Sequence, residues 1–284
     1  MQTLVMTGGT SGFGAIAARQ MNAAPDTRLL LGGRHPSADG IETLQLDLAS
    51  LGSVRRFAEA VVIKLGNTEI NSLVLNAGVQ LPTADLQTED GFETTFATNH
   101  LAHYLLMRLL LPKLGRNATV VITTSDTHAW IKKLDVAGWT NPQGRGLLAG
   151  ARAYASSKLC NLLTARALAM SKMGITLGLE VTAYTPGFTP GTSLFRHSSP
   201  FQRLTLALLR FVAPIARLST AELAGQTLDD LTLGKIRPPS GRIYAALAKR
   251  RLTWPDPSDL ALNDDAAREL WRASAGMVGL EEDL

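Results

Sequence analysis

The chain has 284 residues, 45% hydrophobic and 18% charged, which is ample for a sizeable core and argues against a disordered chain. Lys and Arg number 28 against 24 Asp and Glu, a net charge of +4 that suits an anionic cofactor and argues against nucleic acid as a partner. The one cysteine, Cys160, excludes an intrachain disulfide and fits a reducing, cytoplasmic setting.

The first residues lack a basic segment followed by an apolar stretch, so no signal peptide is expected. No apolar run reaches the roughly 18 residues of a spanning helix. The pattern then predicts alternating elements. A strand at Leu4–Met6 runs into the glycine turn Thr7–Gly14 and a helix from Ala15 to Met21. Strands follow at Leu29–Leu31 and Thr43–Asp47, then a helix at Val54–Leu65. A fourth strand, Ile70–Leu75, is closed by Asn76-Ala77-Gly78. A long helix from Phe92 to Leu111 ends at Pro112, and Ala118–Thr124 reads as a fifth strand. Residues 126–150 read as a loop excursion, Arg152–Met173 as a helix and Thr176–Tyr184 as a sixth strand. Beyond Pro186 the chain is irregular and apolar, with helices expected at Phe201–Phe211, Thr220–Leu231 and Ala266–Ala275. Strands alternating with helices predict an α/β fold, a Rossmann-type doubly wound parallel sheet in three layers. Without repeats or a low-complexity linker, residues 1–284 read as one domain, with 188–218 an extended substrate loop.

Gly8, Gly12 and Gly14 occupy the first strand-to-helix turn, reading Thr-Gly-Gly-Thr-Ser-Gly-Phe-Gly. Such a turn lets backbone approach a pyrophosphate while the helix N-terminus offers N–H groups. Thr10, Ser11 and Phe13 join the glycines as candidate cofactor contacts. An acid after the second strand would hold the ribose hydroxyls of NAD, whereas Arg34 offers a planar fork for a 2′-phosphate. The expected cofactor is therefore NADP(H), with Asp39 the nearby acid that would argue otherwise.

Tyr154 and Lys158 are spaced i and i+4, on one face of the expected helix. A lysine cation beside a tyrosine favours the tyrosinate and lowers its pKa. The pair could then deliver a proton to an alkoxide as hydride reaches a carbonyl carbon.

With these residues in view, the chain resembles the short-chain dehydrogenase/reductase family of the classical type. The matches are Thr7-Gly8-x-x-x-Gly12-x-Gly14, Asp47-Leu48, Asn76-Ala77-Gly78, Asn99, Ser125, Tyr154-x-x-x-Lys158, and Pro186-Gly187 followed by Thr192. The resemblance implies that Asp47 and Leu48 border the adenine and that Asn76-Ala77-Gly78 support the sheet beside the adenine ribose. It implies that Asn99 holds a helix kink and a relay water, Ser125 the substrate oxygen, and Lys158 the nicotinamide ribose. Tyr154 becomes the general acid, and Pro186, Gly187 and Thr192 the nicotinamide wall. The Asn99-His100-Leu101-x-His103 stretch resembles retinol dehydrogenase-like members. Tyr154-x-x-Ser157-Lys158-x-Cys160-Asn161 and Gly191-Thr192-x-Leu194-Phe195-Arg196 resemble light-dependent protochlorophyllide reductase. That photoenzyme group carries a cysteine where this chain has Phe188, which has no exchangeable proton. Dark carbonyl reduction is therefore expected, with light-dependent reduction of a ring double bond or a catalytically silent NADPH-binding regulator as alternatives.

The expected substrate is a bulky, mostly apolar carbonyl compound bordered by His128, Phe188, Leu194 and Phe195. Residues 188–218 read as a lid over it. Their apolar content also suits a subunit contact in a homo-oligomer or a membrane-surface face at 201–215, the latter not favoured. His100 and His103 share a helix, but no third ligand stands in the same turn, so no metal is expected and helix packing is the reading.

Overall fold

The computed structural model describes residues 1–133, 135–187 and 219–282. The expected lid at 188–218, the helix expected at Phe201–Phe211, and Phe188, Thr192, Leu194 and Phe195 lie outside the described residues.

The first strand β1 (Gln2–Thr7) is buried along almost all its length, as an inner strand covered on both faces requires. It is followed by α1 (Gly12–Ala23), β2 (Thr27–Gly33), β3 (Thr43–Gln45), α2 (Leu51–Leu65) and β4 (Ile70–Leu75). Ser50 caps α2 by accepting from Ser53 N, and Gly66 closes it at φ +55°. Next comes α3, built from Thr94–Phe96, a π-helical turn Ala97–Leu101 and a regular stretch Ala102–Leu110. β5 (Leu114–Thr123), α4 (Val136–Thr140), α5 (Leu147–Met170), α6 (Lys172–Leu177), β6 (Glu180–Thr185), α7 (Ala221–Thr232), β7 (Tyr244–Ala248), β8 (Arg251–Thr253) and α8 (Asp264–Met277) follow, with short 3₁₀ turns between some of them.

The strands form an eight-stranded sheet in the order β3-β2-β1-β4-β5-β6-β7-β8. All neighbouring pairs are parallel except β7 with β8. This is the expected Rossmann-type α/β architecture, with an antiparallel edge strand added. One apolar cluster joins α1 and α7 to the sheet. A larger one joins α2, α3, α5 and α8 to the other face. A Cβ on Gly225 would stand 2.8 Å from Phe13 O, so α7 can lie this close to α1 only with glycine there.

Two local expectations are corrected, and two strands are added. The sixth strand begins at Glu180, because Ser171 caps α6 by accepting from Gly174 N and Gly178 closes it in the left-handed conformation. The 126–150 excursion contains a 3₁₀ turn at Asp126–Trp130 and the short helix α4. Strands β7 and β8 had no expectation, since Tyr-Ala-Ala-Leu-Ala is a poor strand signal and pairs with β6 through tertiary context.

Helix α8 seals the flank of α3. Trp271 meets Tyr104 edge-on at 5.1 Å, and Tyr104 OH donates to Trp271 O at 3.1 Å. The Arg108 guanidinium lies over both rings, at 5.5 and 5.2 Å. His100 Nε2 and Ser274 Oγ are 3.0 Å apart, and Arg55 donates to the carbonyl of Val278.

Candidate active site

The order of the sheet reverses at β1, whose neighbours β2 and β4 lie on opposite sides. A crevice opens at such a point beyond the strand carboxyl ends. The glycine turn leaves β1 there, and Asn76-Ala77-Gly78 leave β4 beside it. Gly8 has φ +70° and Gly12 has φ +59°. A Cβ on Gly8 would lie 2.6 Å from Ala77 N, and one on Gly14 would lie 2.6 Å from Asn76 Nδ2 and nearer still to Gly8 O. The turn is therefore closed against the end of β4, and only glycine permits both approaches. The Asn76 side chain ties it in place, donating from Nδ2 to Gly8 O at 3.0 Å and accepting from Thr123 Oγ1 at 2.9 Å.

A buried polar chain crosses beneath the turn. Thr7 Oγ1 accepts from Asn76 N at 3.1 Å and from Ala77 N at 3.2 Å, and lies 2.9 Å from His103 Nε2. His103 Nδ1 is 3.1 Å from Asn99 O. Asn99 stands inside the π-helical turn. Its Oδ1 accepts from Val79 N at 2.7 Å, and its Nδ2 donates to Val79 O at 2.9 Å and to Ser157 Oγ at 3.0 Å. A side chain at Gly78 would come 3.4 Å from both Asn99 Oδ1 and Lys158 Nζ, so the end of β4 brings these two residues together.

Tyr154 and Lys158 share a face of α5, and both are buried. Lys158 Nζ donates to Thr123 O at 3.2 Å, an acceptor it shares with Asn161 Nδ2 at 3.0 Å. Burial lowers the Lys158 pKa to about 8. Burial also pushes the Tyr154 phenol above its ordinary value, opposed by a hydrogen bond with Ser125, while the Asp126 charge adds to the rise. The expectation that Lys158 lowers this pKa is corrected. Desolvation dominates, and the ammonium lies over the ring face, 5.5 Å from its centre. Tyr154 therefore keeps its proton at neutral pH.

Ser125 follows β5 at the same edge and caps the 3₁₀ turn, its Oγ accepting from Thr127 N at 3.3 Å. His128 lies behind it and is buried. Its Nδ1 stands 2.7 Å from Ser125 O, and its Nε2 accepts from Ser258 N at 3.3 Å. Burial lowers its pKa, with the Ser125 carbonyl and the Asp126 charge opposing and Lys132 adding. Both ring nitrogens are thus bonded to the backbone, and His128 ties the Ser125 turn to the C-terminal segment. His100 and His103 diverge, toward Ser274 and Thr7 respectively. Among the described residues, no three His, Cys, Asp or Glu side chains converge as a metal site would need.

At the rim, Asp47 follows β3, its Oδ1 accepting from Ala49 N at 3.0 Å, and Leu48 beside it is half-buried. Arg34 is exposed immediately beyond β2. A Cβ on Gly33 would touch Thr10 Cγ2 at 3.2 Å, so the end of β2 adjoins the glycine turn. Asp39 is held by Arg19 of α1 in a 3.1 Å ion pair. Pro186 and Gly187 leave β6 at the same edge, with Gly187 at φ +71°. Sequence reasoning missed Thr123 and Thr124, and it quoted Ser157 and Asn161 within a motif without giving either a role. Thr124 Oγ1 donates to Lys158 O at 2.7 Å, and Ser157 Oγ donates to Tyr154 O at 2.7 Å. Their signal was faint: small polar residues at turns of α5 or the end of β5 that otherwise point into core.

Residues 2–133 match the family model for short chain dehydrogenases. The chain is 32% identical to retinol dehydrogenase 13 of Homo sapiens over 306 residues, covering 99% of this chain and 85% of that one. The chain belongs to the short-chain dehydrogenase/reductase family. It is also 30% identical to the short-chain dehydrogenase TIC 32 A, chloroplastic, of Brassica napus, covering 97% of this chain and 88% of that protein. The chloroplastic protochlorophyllide reductase of Chlamydomonas reinhardtii is 29% identical, with 98% and 78% covered. A crystal structure of an uncharacterised Mycobacterium paratuberculosis protein superposes with a TM-score of 0.73 at 25% identity, covering 100% of this chain and 96% of the other. Family membership makes the protein a nicotinamide-dependent oxidoreductase. The cytoplasmic expectation is corrected: two of these relatives are chloroplastic proteins matching almost the whole chain, so one cysteine on this fold does not mark the cytoplasm.

Proposed function

We propose that this short-chain dehydrogenase/reductase is an NADPH-dependent reductase of a bulky, mostly apolar carbonyl compound, acting in the dark. The observation that carries the reading is the meeting of Ser125, Tyr154 and Lys158 at the strand edge that also holds the glycine turn. The turn fits a dinucleotide: it is a cradle that a Cβ at Gly8 or Gly14 would fill, and the first turn of α1 carries no acid to repel phosphate. When bound, the nicotinamide supplies the hydride.

The residues of the chain bind, orient and move a proton. Gly8, Thr10, Ser11, Gly12, Phe13 and Gly14 receive the pyrophosphate, and Asp47, Leu48 and Asn76-Ala77-Gly78 flank the adenosine side. Pro186 and Gly187 support the nicotinamide side. Ser125 Oγ and the Tyr154 hydroxyl hydrogen-bond the carbonyl oxygen, and Tyr154 gives its proton to that oxygen as the alkoxide forms. Lys158, charged below about pH 8, holds the ribose and stabilises the phenolate that remains. Asn99 fixes the loop at Val79 against which Lys158 lies. Arg34, exposed beside the glycine turn, with the Asp39 charge paired to Arg19, supports NADP(H) over NAD(H).

The test is to incubate the protein with NADPH or NADH and a mixed panel of ketones, retinoids and steroids, in light and in darkness, following products by mass. Reduction of an apolar carbonyl in the dark with NADPH is expected. Product only under illumination transfers the reading to light-dependent double-bond reduction, and cofactor binding without any product transfers it to a silent regulator.

A further inference from the structure

His100 and His103 are the part of the family-like stretch for which the chemistry above finds no use, and their surroundings differ. His100 serves the seal with α8. His103 lies between two segments that converge on the active site. Asn99 O can only accept, so the hydrogen bond at 3.1 Å puts a proton on His103 Nδ1. A neutral imidazole then has only a lone pair at Nε2, so the 2.9 Å contact there takes the Thr7 O–H as donor. With its proton spent on the ring, Thr7 Oγ1 has two lone pairs left, and they meet the N–H groups of Asn76 and Ala77. Each hydrogen and each lone pair of the Thr7 hydroxyl and the His103 ring nitrogens is thus used once.

A second proton on the ring would break this arrangement, because Thr7 Oγ1 would face three donors with two lone pairs. Burial keeps the ring neutral, lowering its pKa to about 4, and the nearby Lys158 cation adds to the shift.

From this geometry we propose that His103 is a positioning residue, a neutral strut that locks the end of β4 under the glycine turn and holds the Asn99 turn beside Lys158. Its two nitrogens act on different halves of the site. Nε2, through Thr7, fixes Asn76 and Ala77, and Asn76 in turn holds Gly8 O. Nδ1 fixes the backbone of Asn99, whose side chain holds Val79. The strut thus couples dinucleotide binding to the placement of the lysine, without touching cofactor or substrate. The inference rests on the dinucleotide-binding reading proposed above.

The experiment measures NADPH affinity and thermal midpoint for wild type, His103→Phe, His103→Gln, Thr7→Val and the double variant T7V/H103F. H103F should bind NADPH at least about tenfold more weakly, at a temperature where it is still folded. H103Q, which returns an amide acceptor near the Nε2 position, should recover most of that loss. T7V/H103F should lose less than the sum of the two single losses, since His103 acts through Thr7. Undiminished binding by H103F, or losses that add in the double variant, overturn the proposal. Nitrogen-15 imidazole shifts of the wild-type protein decide the matter even where variants fail to fold: Nδ1–H at neutral pH is expected, and Nε2–H or a charged ring overturns it. Failure of the wild type to bind either nicotinamide cofactor defeats the functional reading itself, whereas wild-type binding that H103F retains defeats only the strut.

Discussion

The Lys158 ammonium sits over the Tyr154 ring, 5.5 Å from its centre, one helical turn along α5. The two residues do different work, so their removal should separate. Tyr154→Phe deletes the transferable proton and keeps the ring, so turnover of a dark substrate should fall roughly 10² to 10⁴-fold while NADPH affinity stays close to wild type. Lys158→Met should weaken both. Stopped-flow turnover with fluorescence titration of NADPH on each variant checks the split, and near wild-type turnover by Y154F removes Tyr154 from the acid role.

Lys158 also sets an alkaline limit. Without ligand its pKa is held at about 8 by burial. Cofactor phosphates and ribose favour the charged form, so binding should draw in a proton above that pH. NADPH affinity should decline as pH rises past about 8, by up to about tenfold per unit, and K158M should flatten the profile. Stability of the unliganded protein runs the other way. From pH 8 to 10.5 the unfolded lysine keeps a proton the folded one has lost, so this group makes folding more favourable as pH rises through that window. Calorimetric titration across pH 7 to 10 reads the binding effect, and a pH-independent affinity in wild type would show that Lys158 does not meet the cofactor.

Arg34 stands exposed at the end of β2, beside the glycine turn. Arg34→Asp should cost more than about 1.4 kcal/mol, or tenfold, in NADP(H) affinity. NAD(H) affinity should be spared or improved. Equal NADPH affinity in wild type and R34D would assign the 2′-phosphate to another residue.

Acid should unfold this protein through its buried imidazoles. His100 is held down to about 3 and His103 to about 4, both by burial first. Between pH 6.5 and these values the unfolded histidines carry protons that the folded ones refuse. Their contribution is intact above pH 6.5 and is lost as pH falls toward 4, at roughly 1.4 kcal/mol per unit for each group. Urea midpoints at pH 7, 6 and 5 should drop steeply. The His100→Gln variant should fall less steeply than wild type, and an identical slope would mean that His100 is not the group protonated.

Much of the sheet was legible because buried parallel strands are written as short apolar runs, such as Leu29–Leu31 and Ile70–Leu75, and glycine turns are strong punctuation. The Tyr154–Lys158 spacing survives intact because a helix fixes it. What escaped was set by tertiary surroundings. Tyr244–Ala248 is a strand only because β6 is beside it. Thr176 and Leu177 carry strand propensity, yet Ser171 and Gly178 cap them into α6. The π-helical turn at Ala97–Leu101 leaves no trace in the hydrophobic pattern, and only the family resemblance, which implied a kink at Asn99, pointed to it. Sequence shows the nearness of His128 to Ser125 but not to Ser258, 130 residues on, which occupies its other nitrogen.

The seal between α3 and α8 joins residues far apart in synthesis: Tyr104 waits 167 residues for Trp271, and His100 waits 174 for Ser274. A ribosome that has delivered every strand through β6 has therefore made a sheet whose α3 flank is still bare, with Tyr104 and its apolar neighbours facing water. Completion depends on the last part of the message, and a chain cut short before Asp264 would present that flank to chaperones or to its own kind.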